Sequence, residues 1–175
     1  MRSPIRSDRL SVRELCILAF FAALMFSVKT ALASIPNVHL NALLIILVTL
    51  YFGWRALYAV GVYILLEGLI FGFSIWWFSY LYVWPLLVAL VMLFRRNDAP
   101  LVWAVLAGVY GLAFGPLMYL GYFAILGGWR GFGAMWIAGI PYDLIHAASN
   151  FLTVLILFGP LSKIMDRFVP ARERT

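Results

Sequence analysis

Charge is scarce in this sequence, and so is cysteine. Charged residues make up 11% of its 175 positions and apolar residues 65%, whereas soluble domains carry roughly a quarter charged residues. So little charge excludes an ordinary water-facing surface, and the solvent of this fold is expected to be lipid. The single cysteine, Cys16, excludes an internal disulfide and leaves the redox compartment unread. Acidic residues number 7 against 13 basic ones. The basic residues stand in short groups beside the ends of apolar runs rather than along one soluble face, which argues against nucleic acid as a partner. Catalytic signatures are missing too: there is no H-E-x-x-H, no G-x-S-x-G, no Walker-type glycine loop and no Cys/His cluster of metal-binding type. No metal, no cofactor, no standard ATP-hydrolysing site and no enzymatic activity are expected. Period-two alternation is also absent from the long apolar runs, which sets aside a β-barrel and leaves helices, the other structure that satisfies its own backbone in lipid.

Six apolar segments can be drawn: 14–34, 38–53, 56–75, 76–94, 101–126 and 135–161. The breaks carry loop chemistry at Ile35-Pro36-Asn37, Gly53-Trp54-Arg55, Arg95 to Pro100 and Gly127 to Gly131. The break between Gly72 and Trp77 is the weakest, with only Ser74 as a polar interruption, and a fused or re-entrant element there would leave five spans. The positive-inside rule favours six. With the N-terminus inside, Arg2, Arg6, Arg9, Arg13, Arg55, Arg95, Arg96, Lys163, Arg167, Arg172 and Arg174 all fall on the cytoplasmic side, leaving Arg130 clearly outside. Trp54, Trp76, Trp77, Trp129 and Trp136 then mark span ends, where an amphipathic ring suits the headgroup level. The first segment also imitates a secretory leader, with Ala31-Leu32-Ala33 before Ser34, but it contains Lys29 and is long enough to span. The expected fold is an all-α integral membrane protein, a compact bundle of about six transmembrane helices over residues 14–161. Short cytoplasmic tails, 1–13 and 162–175, flank it.

A charged group inside a span costs about 2.5–3.5 kcal/mol on insertion scales, so Lys29, Glu67, Asp143 and His146 are expected to face protein or water. Lys29 near a membrane interface has an ordinary role, snorkelling outward; facing inward, it would pair with Glu67, Asp143 or an anionic ligand group. Glu67, near mid-membrane, must be protonated, paired or wet. Gly139, Asp143, His146 and Asn150 recur at four, three and four residues, which stacks them on one helix face. Such a stripe either hydrogen-bonds a neighbouring helix or lines an outward-opening pocket. His39 stands at the outer start of the second span, an interfacial position, and Asn37 in the loop before it. Trp77, Tyr80 and Trp84 are candidates to wall a pocket for a flat heterocycle, against the commoner role of packing or belt residues.

Three features carry a family resemblance. The chain is one small six-span domain; Ala19-Phe20-Phe21-Ala22-Ala23 fits an A-x-x-x-A pattern in the first helix. The third is the run from Ser34-Ile35-Pro36-Asn37-Val38-His39-Leu40 through Tyr51 to Leu57, followed by Leu66-Glu67-Gly68-Leu69-Ile70-Phe71-Gly72. Together they resemble an uncharacterised subgroup of the substrate-binding S components of energy-coupling factor (ECF) transporters, bacterial importers of vitamins and related micronutrients. The resemblance implies a multi-pass subunit of the bacterial plasma membrane that binds a small polar solute from outside. It implies docking through Ala19 and Ala23 on a membrane coupling subunit driven by two cytoplasmic ATPase subunits. It also implies a pocket in the outer half, capped by the first loop; the expected ligand contacts are Lys29, Asn37, His39, Glu67, Trp77, Tyr80, Trp84, Asp143, His146 and Asn150. A stand-alone proton-coupled carrier using Glu67, Asp143 and His146 is the alternative, and an intramembrane enzyme a more distant one.

Overall fold

A computed structural model describes residues 10–35 and 38–169. Among these, six helices follow one another and no strand occurs: α1 (Val12–Ala31), α2 (Asn41–Phe52), α3 (Ala56–Phe71), α4 (Ile75–Phe94), α5 (Pro100–Leu120) and α6 (Trp129–Phe168). Five helical runs are long and apolar enough to cross a membrane, the second being the whole of Asn41–Phe71. By helix length and hydropathy, then, the chain is a multi-pass membrane protein. Its outer surface agrees: Phe20, Ile70, Leu93, Val109 and Ile137 are each more than 60% exposed. Water tolerates contiguous apolar patches of only a few hundred Å² on a monomer, whereas lipid does not penalise them.

Two ion pairs fix the direction of the first helices. Glu14 in the first turn of α1 holds Arg55, just before α3, at 2.9 Å, and Lys29 in the last turn of α1 holds Glu67 near the end of α3. Pairs at both ends require α1 and α3 to run parallel, so α2 must run back between them. The Asn41 amide donating to the Tyr63 hydroxyl at 2.8 Å confirms the reversal; in one straight helix these residues would lie about 33 Å apart. The Gly53-Trp54-Arg55 break is thus a turn of 3-10 helix that keeps the run helical while reversing it. Every residue of α2 except Leu50 is buried, the mark of a central helix. At about 18 Å it is shorter than a bilayer core.

Local signals set the helix ends. Ser11 and Glu14 form a reciprocal capping box at the start of α1, Ser11 Oγ accepting from the Glu14 amide at 3.1 Å. Pro100 opens α5. The weak break is real: Gly72 adopts φ +90°, a conformation that side chains disfavour, and α4 begins afresh at Ile75. The two later boundaries differ from the sequence reading. Helix α5 stops at Leu120 rather than Leu126, and α6 starts at Trp129 rather than Met135. The turn chemistry thus resides in 121–128, and Trp129-Arg130-Gly131 belongs to the helix. At 40 residues α6 also continues to Phe168, past the apolar run ending at Leu161.

Arg13, Arg55, Arg95, Arg96, Lys163 and Arg167 gather at one end of the bundle, where α1, α3 and α5 begin and α2, α4 and α6 finish. There the Tyr51 hydroxyl donates to Asp166 Oδ1 at 2.5 Å, tying α2 to α6. Lys29 and Arg130 lie toward the other end. The basic residues Arg2, Arg6, Arg9, Arg172 and Arg174 lie outside the described residues.

Helices α5 and α6 form the most intimate pair. A side chain at Gly111 would meet the Ala147 backbone at 2.7–2.8 Å, so only glycine admits this approach. Helix α4 joins them through side-chain hydroxyls: Ser79 donates to Met118 O at 3.2 Å, and Tyr110 to Val83 O at 2.6 Å.

Candidate functional site

The Lys29 end of the bundle concentrates the buried polar groups. Glu67 is fully buried on α3, and its carboxylate pairs with Lys29 through Oε2. The lysine side chain is 21% exposed and turns inward rather than snorkelling. It donates to the Tyr80 hydroxyl at 3.3 Å and lies over the rings of Tyr80, Trp76 and Phe71 at 5.1, 5.5 and 5.7 Å. A desolvated ammonium there gains from the negative ring faces as well as from the carboxylate.

From this pair an aromatic chain crosses the bundle. Tyr63 stacks on Tyr80 at 6.5 Å, both rings meet Trp84, at 6.0 and 5.5 Å, and Trp84 meets Phe114 at 5.3 Å. Phe114 contacts the His146 imidazole at 4.7 Å, which lies edge-on to His39 at 5.6 Å. Six residues singled out in the sequence thus join one chain of contacts: Lys29, His39, Glu67, Tyr80, Trp84 and His146. His39 lies in the segment before α2, where burial, and then the Lys29 charge, push its pKa below the ordinary value and keep the ring neutral near pH 7.

The remaining candidates take other positions. Asp143 and Asn150 are buried in the α5–α6 seam, where Asp143 Oδ1 accepts from the Gly115 amide at 3.1 Å and Asn150 donates to Ala107 O at 3.3 Å. The stripe therefore divides: Asp143 and Asn150 fasten α6 to α5, while His146 faces the aromatic chain. Trp77 donates its ring N–H to Ile64 O at 2.8 Å and packs on Phe73 and Gly68, bracing the α3–α4 turn. Asn37 lies outside the described residues.

Several buried polar atoms have no hydrogen-bond partner among the described residues: Glu67 Oε1, Asn41 Oδ1, Trp84 Nε1 and His39 Nδ1 near the aromatic chain, Asp143 Oδ2 and Asn150 Oδ1 in the seam. Leaving such a group unsatisfied costs about 1–3 kcal/mol, and more when it is charged. Asn41 and Tyr63 were missed in the sequence. The only signal for Asn41 was a lone amide at the head of an apolar run, and Tyr63 carried none. No cluster of three or more metal-ligating side chains occurs among the described residues.

A second feature lies toward the basic end. The backbones of α1 and α6 nowhere pack on each other, and the gap is an apolar groove of about 500 Å³ floored by Leu44 and Leu47 of α2, with Arg13 at its margin. Ala19 and Ala23 are exposed on α1 beside it.

Fold and site define an all-helical protein with five membrane-length apolar runs and a buried ionic and aromatic cluster at one end. No family model, curated protein or solved structure matches the chain.

Proposed function

We propose that this chain is a solute-capture membrane subunit, the role of the S components it resembles, with six crossings, both termini cytoplasmic and the Lys29 end facing outward. One observation carries the reading. The buried polar atoms around Glu67, Asn41, Trp84 and His39 have no partner among the described residues and flank an aromatic wall, as expected of a site whose remaining partner is a small solute. The segregation of basic residues supports the orientation, since the end rich in arginine belongs inside. The central burial of α2 supports six crossings, because a helix surrounded by protein need not match the bilayer thickness.

Energy would come from partners: a membrane coupling subunit and two ATPase subunits in a bacterial plasma membrane. The exposed Ala19/Ala23 face and the neighbouring apolar groove support docking there, because small residues let a partner helix approach closely. Because both alanines face outward, enlarging them leaves the bundle undisturbed. Ala19→Trp/Ala23→Trp should abolish co-purification with the coupling subunit while the variant melts like the parent; unchanged co-purification would refute the docking surface.

The His39–His146 contact favours a second reading, a stand-alone proton-coupled carrier, since paired imidazoles can pass a proton. Uptake by the isolated chain in liposomes that collapses with the proton gradient would establish that reading against the first.

A further inference from the structure

The groove between α1 and α6 lies toward the opposite end of the bundle from the Lys29 cluster, and solute capture does not explain it. We propose that it is a phospholipid site, holding one acyl chain of an anionic lipid whose phosphate meets Arg13.

The groove exists because of how α1 is fastened. Two ion pairs, Glu14–Arg55 and Lys29–Glu67, draw α1 onto α3 and leave its other flank unpacked. At the basic end a single polar tie joins α1 to α6, the Arg13 guanidinium donating to the Phe168 carbonyl. Between the two helices lies the space of about 500 Å³, and apart from Arg13 and Cys16 every residue lining it is apolar. Its floor is closed, with Leu44 and Leu47 of α2 only 3% and 1% exposed, whereas Phe20, Ile164 and Phe168 at its rim are 61%, 48% and 61% exposed. Such a cleft opens sideways toward the bilayer, and hydrocarbon entering it gains the dispersion contacts that an empty cleft forfeits.

Length and charge select the lipid. From Arg13 to Leu24 the groove follows α1 for roughly 16 Å at the helical rise. One leaflet of hydrocarbon is about 15 Å deep, half of the bilayer core. Arg13 stands where the headgroup of a chain laid along this path would come. It pairs with no carboxylate among the described residues: Glu14 is engaged by Arg55, and Asp166 on α6 accepts from Tyr51. A guanidinium carries five N–H donors in a fork that suits phosphate, and the Phe168 carbonyl leaves others free. Arg55, Arg95, Arg96, Lys163 and Arg167 stand at the same end, so the local potential favours an anionic headgroup over a zwitterionic one. A second copy of the chain is the poorer occupant. Two chains inserted in one direction carry Arg13 at the same depth, so pairing through this groove sets like charges together with no anion between them. Ala19 and Ala23 do not line the groove, so a lipid there leaves the proposed docking face open.

Native mass spectrometry of the purified full chain, incubated with equal amounts of phosphatidylglycerol and phosphatidylcholine of identical acyl chains, tests the proposal. The parent should carry one phosphatidylglycerol in preference to phosphatidylcholine. Arg13→Gln should lower phosphatidylglycerol binding about fivefold, the factor one basic residue contributes beside an anionic headgroup, and leave phosphatidylcholine binding unchanged. Ile164→Trp, a substitution at an exposed rim position, narrows the groove and should remove most of both adducts while the variant melts with the parent. Arg96→Gln, at the same end but outside the groove, should leave the lipid ratio unchanged. Equal binding of the two lipids by the parent, or an equal loss of preference in Arg96→Gln and Arg13→Gln, would overturn the proposal by reducing it to the general attraction of a basic surface. Adducts insensitive to Ile164→Trp would place the lipid on the outside of the bundle and overturn it as well. A dimer that Ile164→Trp dissociates would give the groove to a second copy instead. Each of these results leaves solute capture, read at the other end of the bundle, untouched.

Discussion

Replacing Lys29 with methionine keeps most of the length and the apolar stem of the side chain and removes the ammonium, leaving Glu67 without its cation in a fully buried position. Oε1 of that carboxylate already lacks a partner among the described residues, so after the substitution neither oxygen has one there. Breaking a buried pair from one side costs about 3–5 kcal/mol, and the partial exposure of Lys29 places this case near 3. Glu67→Gln should cost less, about 1 kcal/mol, because the amide oxygen still accepts from Lys29 and the ammonium keeps Tyr80 and three ring faces. The double variant, with no charge left, should be more stable than the sum of the single losses predicts, by about 2 kcal/mol. Thermal unfolding of the purified variants in lipid nanodiscs reads these differences, with about 2–4 °C per kcal/mol for a chain of this size. The expected order of melting temperatures is parent, Glu67→Gln, then Lys29→Met about 10 °C below the parent. A methionine variant that melts with the parent, or above the glutamine variant, would refute the view that the ion pair holds α1 to α3.

Other substitutions test separate parts of the structure. Gly111→Leu should destabilise the α5–α6 pair by about 1–3 kcal/mol through overpacking against the Ala147 backbone, whereas Gly61→Ala, with nothing within 4 Å of the added carbon, should be neutral or stabilising by up to about 1 kcal/mol; equal melting temperatures would contradict the close approach. Asn41→Leu removes the donor to Tyr63 and should cost about 1–2 kcal/mol in the same assay. Because the fold lowers the His39 pKa, that histidine's contribution is complete above its unfolded value, about 6.5. It declines as the pH falls below that value, since protonation places a cation beside Lys29 and the His146 ring. Melting curves from pH 7.5 to 5 should therefore flatten in His39→Gln; an unchanged slope would assign the pH dependence elsewhere.

The apolar runs, the basic end and the turn residues were enough to read an all-helical membrane chain, because lipid permits few alternatives to the helix and hydropathy reports it directly. Pairing was less legible. Lys29 had three plausible partners in the sequence, and only the parallel course of α1 and α3 selects Glu67. The Asp143/His146/Asn150 stripe was visible from its spacing, yet spacing does not tell which helix covers a face. Two members fasten α5 and α6 and one faces the aromatic chain, a division set by glycines 111 and 115 on the neighbouring helix. Tyr63 was invisible because a tyrosine in an apolar run is indistinguishable from packing until its hydroxyl finds Asn41. The boundaries of α5 and α6 failed for a related reason, since the aromatic residues between Leu120 and Trp136 suit a helix, a turn or an interface equally.

Native mass spectrometry of the full chain, released gently from its own membrane, tests solute capture most directly. The account predicts a small-molecule mass carried by the parent protein, lost on collisional activation and absent from a folded Glu67→Ala variant. A parent that carries no solute, or a solute held equally by that variant, would contradict it.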